Sequence, residues 1–341
     1  MTDDALEMHA PRKGAASVLT PLERRLPPPG PGEARVAIEA AGVAYADIMV
    51  RQGVYTGQSP PVTPGYDFVG RVEAVGGGVT GLSIGQRVAG ITVSGSYATR
   101  RNVDAQWLAP APEGVDAAKL VAAVLNGVTA WQMLHRIANP VPGEWVLVHG
   151  AAGGVGSLLL DLARLAGVRA VGSASASKAD VVRGYGAEPV DYRSEDVAAQ
   201  ARTLSGGGVV AAFDHLGGKH FKKVSMAALR PGGVGVLYGA YDMTRDGKVN
   251  PLAIADLVLN ASFSSLGLFG KGQGVVTYSA QPWRDARPLA YQLDLAAVLK
   301  LVGDGALSPL VGATFPLREA AQAQRALESR SVAGKIVLLT A

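Results

Sequence analysis

The chain has 341 residues, enough for two domains or one large one. It is 48% hydrophobic with 44 Gly and 20 Pro, so a sizeable core interrupted by many turns is expected. Its formal net charge of +4 is spread thinly, without a Lys/Arg block, which excludes nucleic acid or an anionic membrane surface as the expected partner. The absence of Cys excludes disulfides and thiolate metal sites, and the five His show no ligand spacing, so no metal site is expected.

The first residues, Met1–Glu7, are acidic and lack the basic and apolar regions of a signal peptide. No uninterrupted apolar stretch reaches transmembrane length, so a cytoplasmic protein with no membrane partner is expected. Residues 1–125 are rich in Gly, Pro and Val. Their short strand-like runs Ala34–Ala40, Val69–Val75 and Gln86–Ile91 predict a β-rich, barrel-like domain.

Residues 126–285 alternate strands and helices, which predicts a parallel sheet in an α/β fold. The apolar run Trp145–Val148 reads as a buried strand that stops in a glycine-rich turn. Val155–Ala166 then has helical periodicity, with Leu158, Leu159, Leu162 and Leu165 on or near one face. Further strands are expected at Arg169–Ser173, Glu188–Val190, Val209–Phe213, Gly233–Tyr238 and Ala261–Leu266, completing a six-stranded doubly wound sheet. In the last stretch, residues 286–341, an amphipathic helix at Ala290–Val302 ends before Gly305. Strands then return at Val311–Phe315 and Lys335–Leu339.

Strand, glycine turn and helix together place a pyrophosphate on a helix N-terminus, where free N–H groups and the helix dipole favour negative charge. The backbone of Ala152, Gly153, Gly154 and Val155 would supply that cradle. Ala151 stands where the G-x-G-x-x-G fingerprint has its first glycine, while Gly153 and Gly156 keep the other two. A tight turn in some other α/β sheet has the same local sequence; the second strand at βαβ distance favours the dinucleotide reading. After that second strand an NAD site carries an acid for the ribose 2′-hydroxyl. Here the chain reads Gly172–Lys178 with no acid. Ser173, Ser175 and Lys178 suit a 2′-phosphate, so NADPH is the expected cofactor.

Ala41–Asp47, Arg51–Tyr55, Pro64–Gly70, Val75–Val79 with Gly85–Val88, Asn126–Thr129, Ala151–Gly156 and Gly334–Val337 carry a resemblance across nearly the whole chain. They resemble the medium-chain dehydrogenase/reductase superfamily, and within it the zinc-free quinone oxidoreductases of the zeta-crystallin type. The part from Tyr278 to Leu338 is similar to the branch of the synaptic-vesicle protein VAT-1 homologues. The resemblance implies a GroES-like β-rich catalytic domain built from both termini and a Rossmann domain inserted between them. Zinc enzymes of the superfamily carry a Cys and then a G-H-E segment. Here those segments read Gly42–Asp47 and Gly65-Tyr66-Asp67, with neither Cys nor His.

Without a Lewis acid, simple alcohol oxidation is disfavoured. The resemblance instead implies NADPH-dependent reduction of a quinone, enone or enoyl thioester, that is, a small apolar substrate with a conjugated carbonyl. Tyr55 matches a substrate-side tyrosine of related enoyl reductases, which could donate a proton or a hydrogen bond, or could simply be a loop tyrosine. Asp47 reads as a structural acceptor. Ala44 and Tyr45 fall in the implied substrate pocket, and Ala44 replaces an Asn that many quinone oxidoreductases have. Asn126 and Thr129 match a helix start beside the nicotinamide. Tyr192 matches a position near the 2′-phosphate with Lys178, and Gly239 a turn near the carboxamide. Leu266 to Phe269 match the nicotinamide-ribose contacts, and Lys335 would reach the cofactor or face solvent.

Two rival readings stay open: a cofactor-binding scaffold or sensor with little activity, and a natural-product tailoring enzyme doing non-redox chemistry in the same pocket. Related reductases pair their last Rossmann strand across a two-fold axis, so a homodimer through Ala261–Leu266 is expected, unless the loop Gly270–Pro282 shields that edge.

Overall fold

The computed structural model describes residues 3–55, 57–239, 244–245, 248–249 and 270–340. The chain divides into two compact units, one of Met1–Val128 with Gln281–Ala341 and one of Thr129–Ala280.

The first unit is mainly antiparallel sheet. It opens with a hairpin, β1 (Asp4–His9) and β2 (Thr20–Arg25). The main sheet uses β3 (Glu33–Val43), β4 (Asp67–Val75), β5 (Arg87–Ile91), β6 (Arg100–Asp104) and β7 (Leu108–Pro110), joined by two strands from the far end of the chain. β17 (Lys335–Leu339) pairs antiparallel with β3, and β16 (Val311–Pro316) runs parallel to β17. The strand order is β16-β17-β3-β4-β5-β7, with β6 on β3. Alternation along these strands buries Val36, Ile38, Phe68, Val72, Val88, Ile336 and Leu338 in one core, as half-buried strands require.

Between β3 and β4 lies the short helix α1 (Tyr45–Gln52). Its first turn is closed by Asp47, whose Oδ2 accepts from the Ala44 N–H at 2.8 Å. The helix Pro288–Gly303 packs through Tyr291, whose hydroxyl accepts from the Ile91 N–H at 2.9 Å and donates to the Trp107 carbonyl at 3.0 Å.

Among the described residues the second unit is built on a six-stranded, all-parallel sheet. Its strands are β8 (Trp145–His149), β9 (Arg169–Ala174), β10 (Glu188–Asp191), β11 (Val209–Asp214), β12 (Leu229–Leu237) and β15 (Gly274–Thr277), in the order β10-β9-β8-β11-β12-β15. This is the doubly wound order, with its switch point between β8 and β11. Helices α3 (Gly154–Leu165), α4 (Ala179–Gly184) and α5 (Val197–Ser205) provide the crossovers. Between β12 and β15 the described residues include a two-stranded pair, β13 (Thr244–Arg245) with β14 (Lys248–Val249).

Two expectations change. The sixth strand is Gly274–Thr277, inside the stretch read as a loop; the expected strand Ala261–Leu266 lies outside the described residues. A four-residue Gly-Val-Val-Thr run preceded by glycines carries too little periodicity to separate from a turn. Second, the helical stretch Ala117–Ala138 is long and apolar enough to cross a membrane, with mean hydropathy 1.2 over its most apolar window. That window is 83% buried within the protein, as a core helix is.

At the start of β17 the Lys335 ammonium lies 3.3 Å from Asp67 on β4, both almost fully buried. Asp67 also accepts from the Leu125 N–H at 3.0 Å. Lys335→Met leaves a buried carboxylate without its counter-charge and should cost about 3–5 kcal/mol in chemical denaturation. The double variant Asp67→Asn/Lys335→Met should recover most of that loss.

Candidate functional site

The glycine-rich turn joins β8 to α3, a 12-residue helix with Gly153 at its N-cap. Neither a side-chain cap nor an acid occupies its first turn. Its leading N–H groups therefore have only backbone, water or a ligand to answer them. Gly156 permits the tight approach: a Cβ there would sit 2.3 Å from the Gly150 carbonyl oxygen. Ala151, the departure from the fingerprint, is accommodated by Gly172 on β9, where a Cβ would come within 2.8 Å of the Ala151 methyl. The missing first glycine is thus compensated on the neighbouring strand, and the cradle fits a pyrophosphate.

At the ends of β9 and β10 lies a cavity of about 370 Å³ lined by Ser175, Ala176, Arg183, Asp191 and Glu195, among others. The Ser175 and Ser177 hydroxyls are 3.1 Å apart, and the Lys178 N–H closes the turn on the Ser175 carbonyl at 2.8 Å. Tyr192 is half exposed, with its N–H on the Ala174 carbonyl at 3.3 Å, so it lies beside the serine turn. The acids there serve local backbone: Asp191 accepts from the Arg193 N–H and Glu195 from the Asp191 N–H. Ser173 departs from expectation. It is buried, and its hydroxyl lies 3.0 Å from His149 Nδ1, so it is committed inside the sheet.

Asn126 and Thr129 are buried in the interior of α2 (Ala117–Trp131), not at a helix start, so they do not cap it. A Cβ on Gly239 would lie 2.4 Å from the His215 carbonyl oxygen, so only glycine fits there. Leu266 and Phe269 lie outside the described residues. Lys335, expected at the cofactor or in solvent, is held instead in the buried pair with Asp67. Burial in low dielectric makes that pairing obligatory.

A cluster missed from sequence joins the ends of β8 and β11. The donor atoms of His149, Asp214 and His220 lie within 4.8 Å of one another. Asp214 is already saturated. Oδ1 accepts from the Leu216 and Gly217 N–H groups at 2.6 and 3.0 Å, and Oδ2 meets His220 Nδ1 at 2.9 Å and the Ser225 hydroxyl at 2.5 Å. Although burial opposes its charge, the His220 and Ser225 hydrogen bonds and the nearby imidazoles hold its carboxyl well below the usual aspartate range. Burial pushes His149 down to about 3, so its imidazole is neutral. A cation would have to displace two hydrogen bonds from Asp214; the arrangement is a hydrogen-bonded hub.

In the first unit, Ala44 is the N-cap of α1 and Tyr45 its half-buried first residue. Tyr55, just beyond the helix, has its hydroxyl 3.1 Å from that of the buried Tyr66, with the rings edge-to-face. Asp47 beneath them is fully enclosed. It accepts from the Ala44 and Gly65 N–H groups at 2.8 and 3.0 Å and from the Tyr97 hydroxyl at 3.2 Å. Where the superfamily's zinc enzymes have a Cys segment and then G-H-E, Gly42–Asp47 has no Cys and Tyr66 offers a phenol. The neighbouring acids Asp47 and Asp67 are already engaged, so these residues do not fit a catalytic zinc.

A β-rich unit closed by both chain termini, with a doubly wound sheet whose first turn fits a pyrophosphate, defines a dinucleotide-dependent oxidoreductase. Comparisons agree. Residues 30–113 match the alcohol dehydrogenase GroES-like domain and residues 185–338 the zinc-binding dehydrogenase domain. The chain is 33% identical over 317 residues to the rat synaptic vesicle membrane protein VAT-1 homolog, covering 92% of this chain and 78% of that one. It is 31% identical to a 2-haloacrylate reductase of Burkholderia sp., covering 96% and 97%. Among solved structures, a Pseudomonas syringae quinone oxidoreductase superposes with TM-score 0.84 at 27% identity, covering 98% and 99%. A mycobacterial protein complexed with NADPH gives 0.84 at 30% identity, with the same coverage. The chain belongs to the medium-chain dehydrogenase/reductase superfamily, in its zinc-free quinone oxidoreductase branch.

Burial pushes the Asp47 carboxyl up from 3.8 to about 7, against the Ala44 and Gly65 hydrogen bonds and the Lys335 charge. Its folded-state pKa therefore exceeds the unfolded one. The stability it contributes is full below about pH 4 and is lost as pH rises through about 7. Thermal melts should show wild-type stability falling across that window, and Asp47→Asn should flatten the dependence.

Proposed function

We propose that the protein is an NADPH-dependent reductase that adds hydride to an activated C=C bond, as in an enone or enoyl thioester, or to a quinone, without zinc. The observation that carries this reading is the first-unit site: Gly42–Asp47 carries no Cys, and where the zinc enzymes have the His of G-H-E stands Tyr66, its hydroxyl 3.1 Å from that of Tyr55. With no metal ligand there, an alcohol oxygen has no Lewis acid, whereas a conjugated acceptor needs only hydride and a proton. The 2-haloacrylate reductase and the NADPH-complexed relative support the acceptor and cofactor classes.

NADPH would supply hydride to the electron-poor carbon. The chain's own residues do the rest. The uncapped start of α3, with Ala152, Gly153, Gly154 and Val155, would hold the pyrophosphate. Ser175, Lys178 and Tyr192 would hold the 2′-phosphate, and Thr129 and Gly239 the nicotinamide end. Tyr55 holds the proton for the developing enolate, and Ala44 and Tyr45 leave room for an apolar substrate. A cytoplasmic homodimer completes the reading. The expected two-fold pairing strand, Ala261–Leu266, lies outside the described residues, and the mass in solution tests the dimer.

Lys178→Ala should weaken NADPH binding far more than NADH binding, by about 1.5–3 kcal/mol in calorimetric titration. Equal losses would overturn the NADPH assignment. NADPH oxidation against quinones, enones and enoyl thioesters tests the reaction. Tyr55→Phe should lower kcat on the best enone by roughly 10²-fold or more, with NADPH affinity unchanged. Quinone turnover should fall less, because reduced quinone oxygens take protons from water. No turnover with any acceptor would favour the scaffold reading.

A further inference from the structure

Two phenols in contact are unusual at a site that needs one proton. Tyr66 is 3% exposed, and its hydroxyl is 3.1 Å from that of Tyr55. The surrounding chain holds it in place. Gly65 before it adopts φ +112, where a Cβ would come within 2.5 Å of the Tyr97 nitrogen, and its N–H is tied to Asp47. The Tyr66 carbonyl accepts from the Thr92 and Val93 N–H groups at 2.8 and 3.2 Å. Val93 makes its bond at φ +73, a conformation that β-branched residues rarely adopt. A buried ring so fixed gives its hydroxyl few directions to point, and Tyr55 occupies one of them.

We propose that Tyr66 is a positioning residue for Tyr55: its O–H donates to the Tyr55 oxygen, aims the Tyr55 proton, and stabilises the phenolate left when that proton is transferred. This rests on the reductase reading above. The β-carbon of the acceptor gains hydride from NADPH, which is oxidised to NADP⁺. The α-carbon of the resulting enolate gains the Tyr55 proton, so the C=C bond is reduced. Tyr55 is left as a phenolate hydrogen-bonded by Tyr66, and water returns its proton. Tyr66 itself need not ionise. At the position where the zinc enzymes coordinate a metal, this chain would use a hydrogen-bond donor to hold charge on a neighbouring oxygen.

The test uses Tyr55→Phe, Tyr66→Phe and the double variant, each keeping the ring so that the core stays filled. In chemical denaturation of the cofactor-free protein, the two substitutions should be non-additive by roughly fivefold in the unfolding constant, as a lost hydrogen bond predicts. With the best enone, Tyr66→Phe should lower kcat about tenfold with KM little changed. In the Tyr55→Phe background it should have no further effect, and quinone turnover should be spared. Additive stability losses, or an equal kcat loss with and without Tyr55, would make Tyr66 merely structural and overturn the inference. Wild-type kcat for Tyr66→Phe alongside a slow Tyr55→Phe would overturn it while leaving the reductase reading intact. Full enone activity in Tyr55→Phe would remove Tyr55 from the mechanism, and this inference with it.

Discussion

A carboxylate taken out of water must find donors for its lone pairs, and two such groups organise the first unit. Asp47 joins the start of α1, the backbone of Gly65 and the Tyr97 hydroxyl. Asp67 joins β4 to the Leu125 N–H of α2 and, through Lys335, to the last strand. Neither acid is exposed enough to be solvated, so each fixes the segments that supply its partners. Around Gly42 the packing is closed: a Cβ there would fall 2.3 Å from Asp67 Oδ1 and 2.4 Å from the Lys335 side chain. The loop bearing Tyr66 takes its place from this frame.

The second unit meets the same constraint with two backbone and two side-chain donors. Asp214 at the end of β11 collects four hydrogen bonds, which fold the following segment back over the strand. One strand away, at the switch point, the α3 N-terminus carries no side-chain acceptor at all. One strand end is saturated and rigid; its neighbour keeps unanswered donors. Anion binding belongs to the second, because only there does a ligand replace water rather than an internal partner.

The strand–turn–helix of β8 and α3 was legible in the sequence because it rests on short-range patterns: an apolar run, glycines where a Cβ would clash, and leucines at helical spacing. The missing acid after β9 was legible for the same reason. Ser173 shows the limit. Its neighbours suggested a phosphate contact, but β9 is buried from Ala170 to Ala174 and its register on β8 sets Ser173 opposite His149. Asn126 and Thr129 were misplaced at a helix start although Asp116, whose carboxylate accepts from the Lys119 N–H at 3.0 Å, caps the helix where it begins at Ala117.

The sequence alone determined the alternation of elements, the superfamily and the replacement of both expected zinc ligands, since each is a matter of residue type and local spacing. Only the tertiary structure decided which polar groups meet. Lys335 and Asp67 are 268 residues apart, and Tyr55 meets Tyr66 across the turn between α1 and β4. His149, Asp214 and His220 converge from two strands and a helix. A buried charge or hydroxyl is committed by whichever segment folds across it, and long-range burial, not neighbouring sequence, selects that segment.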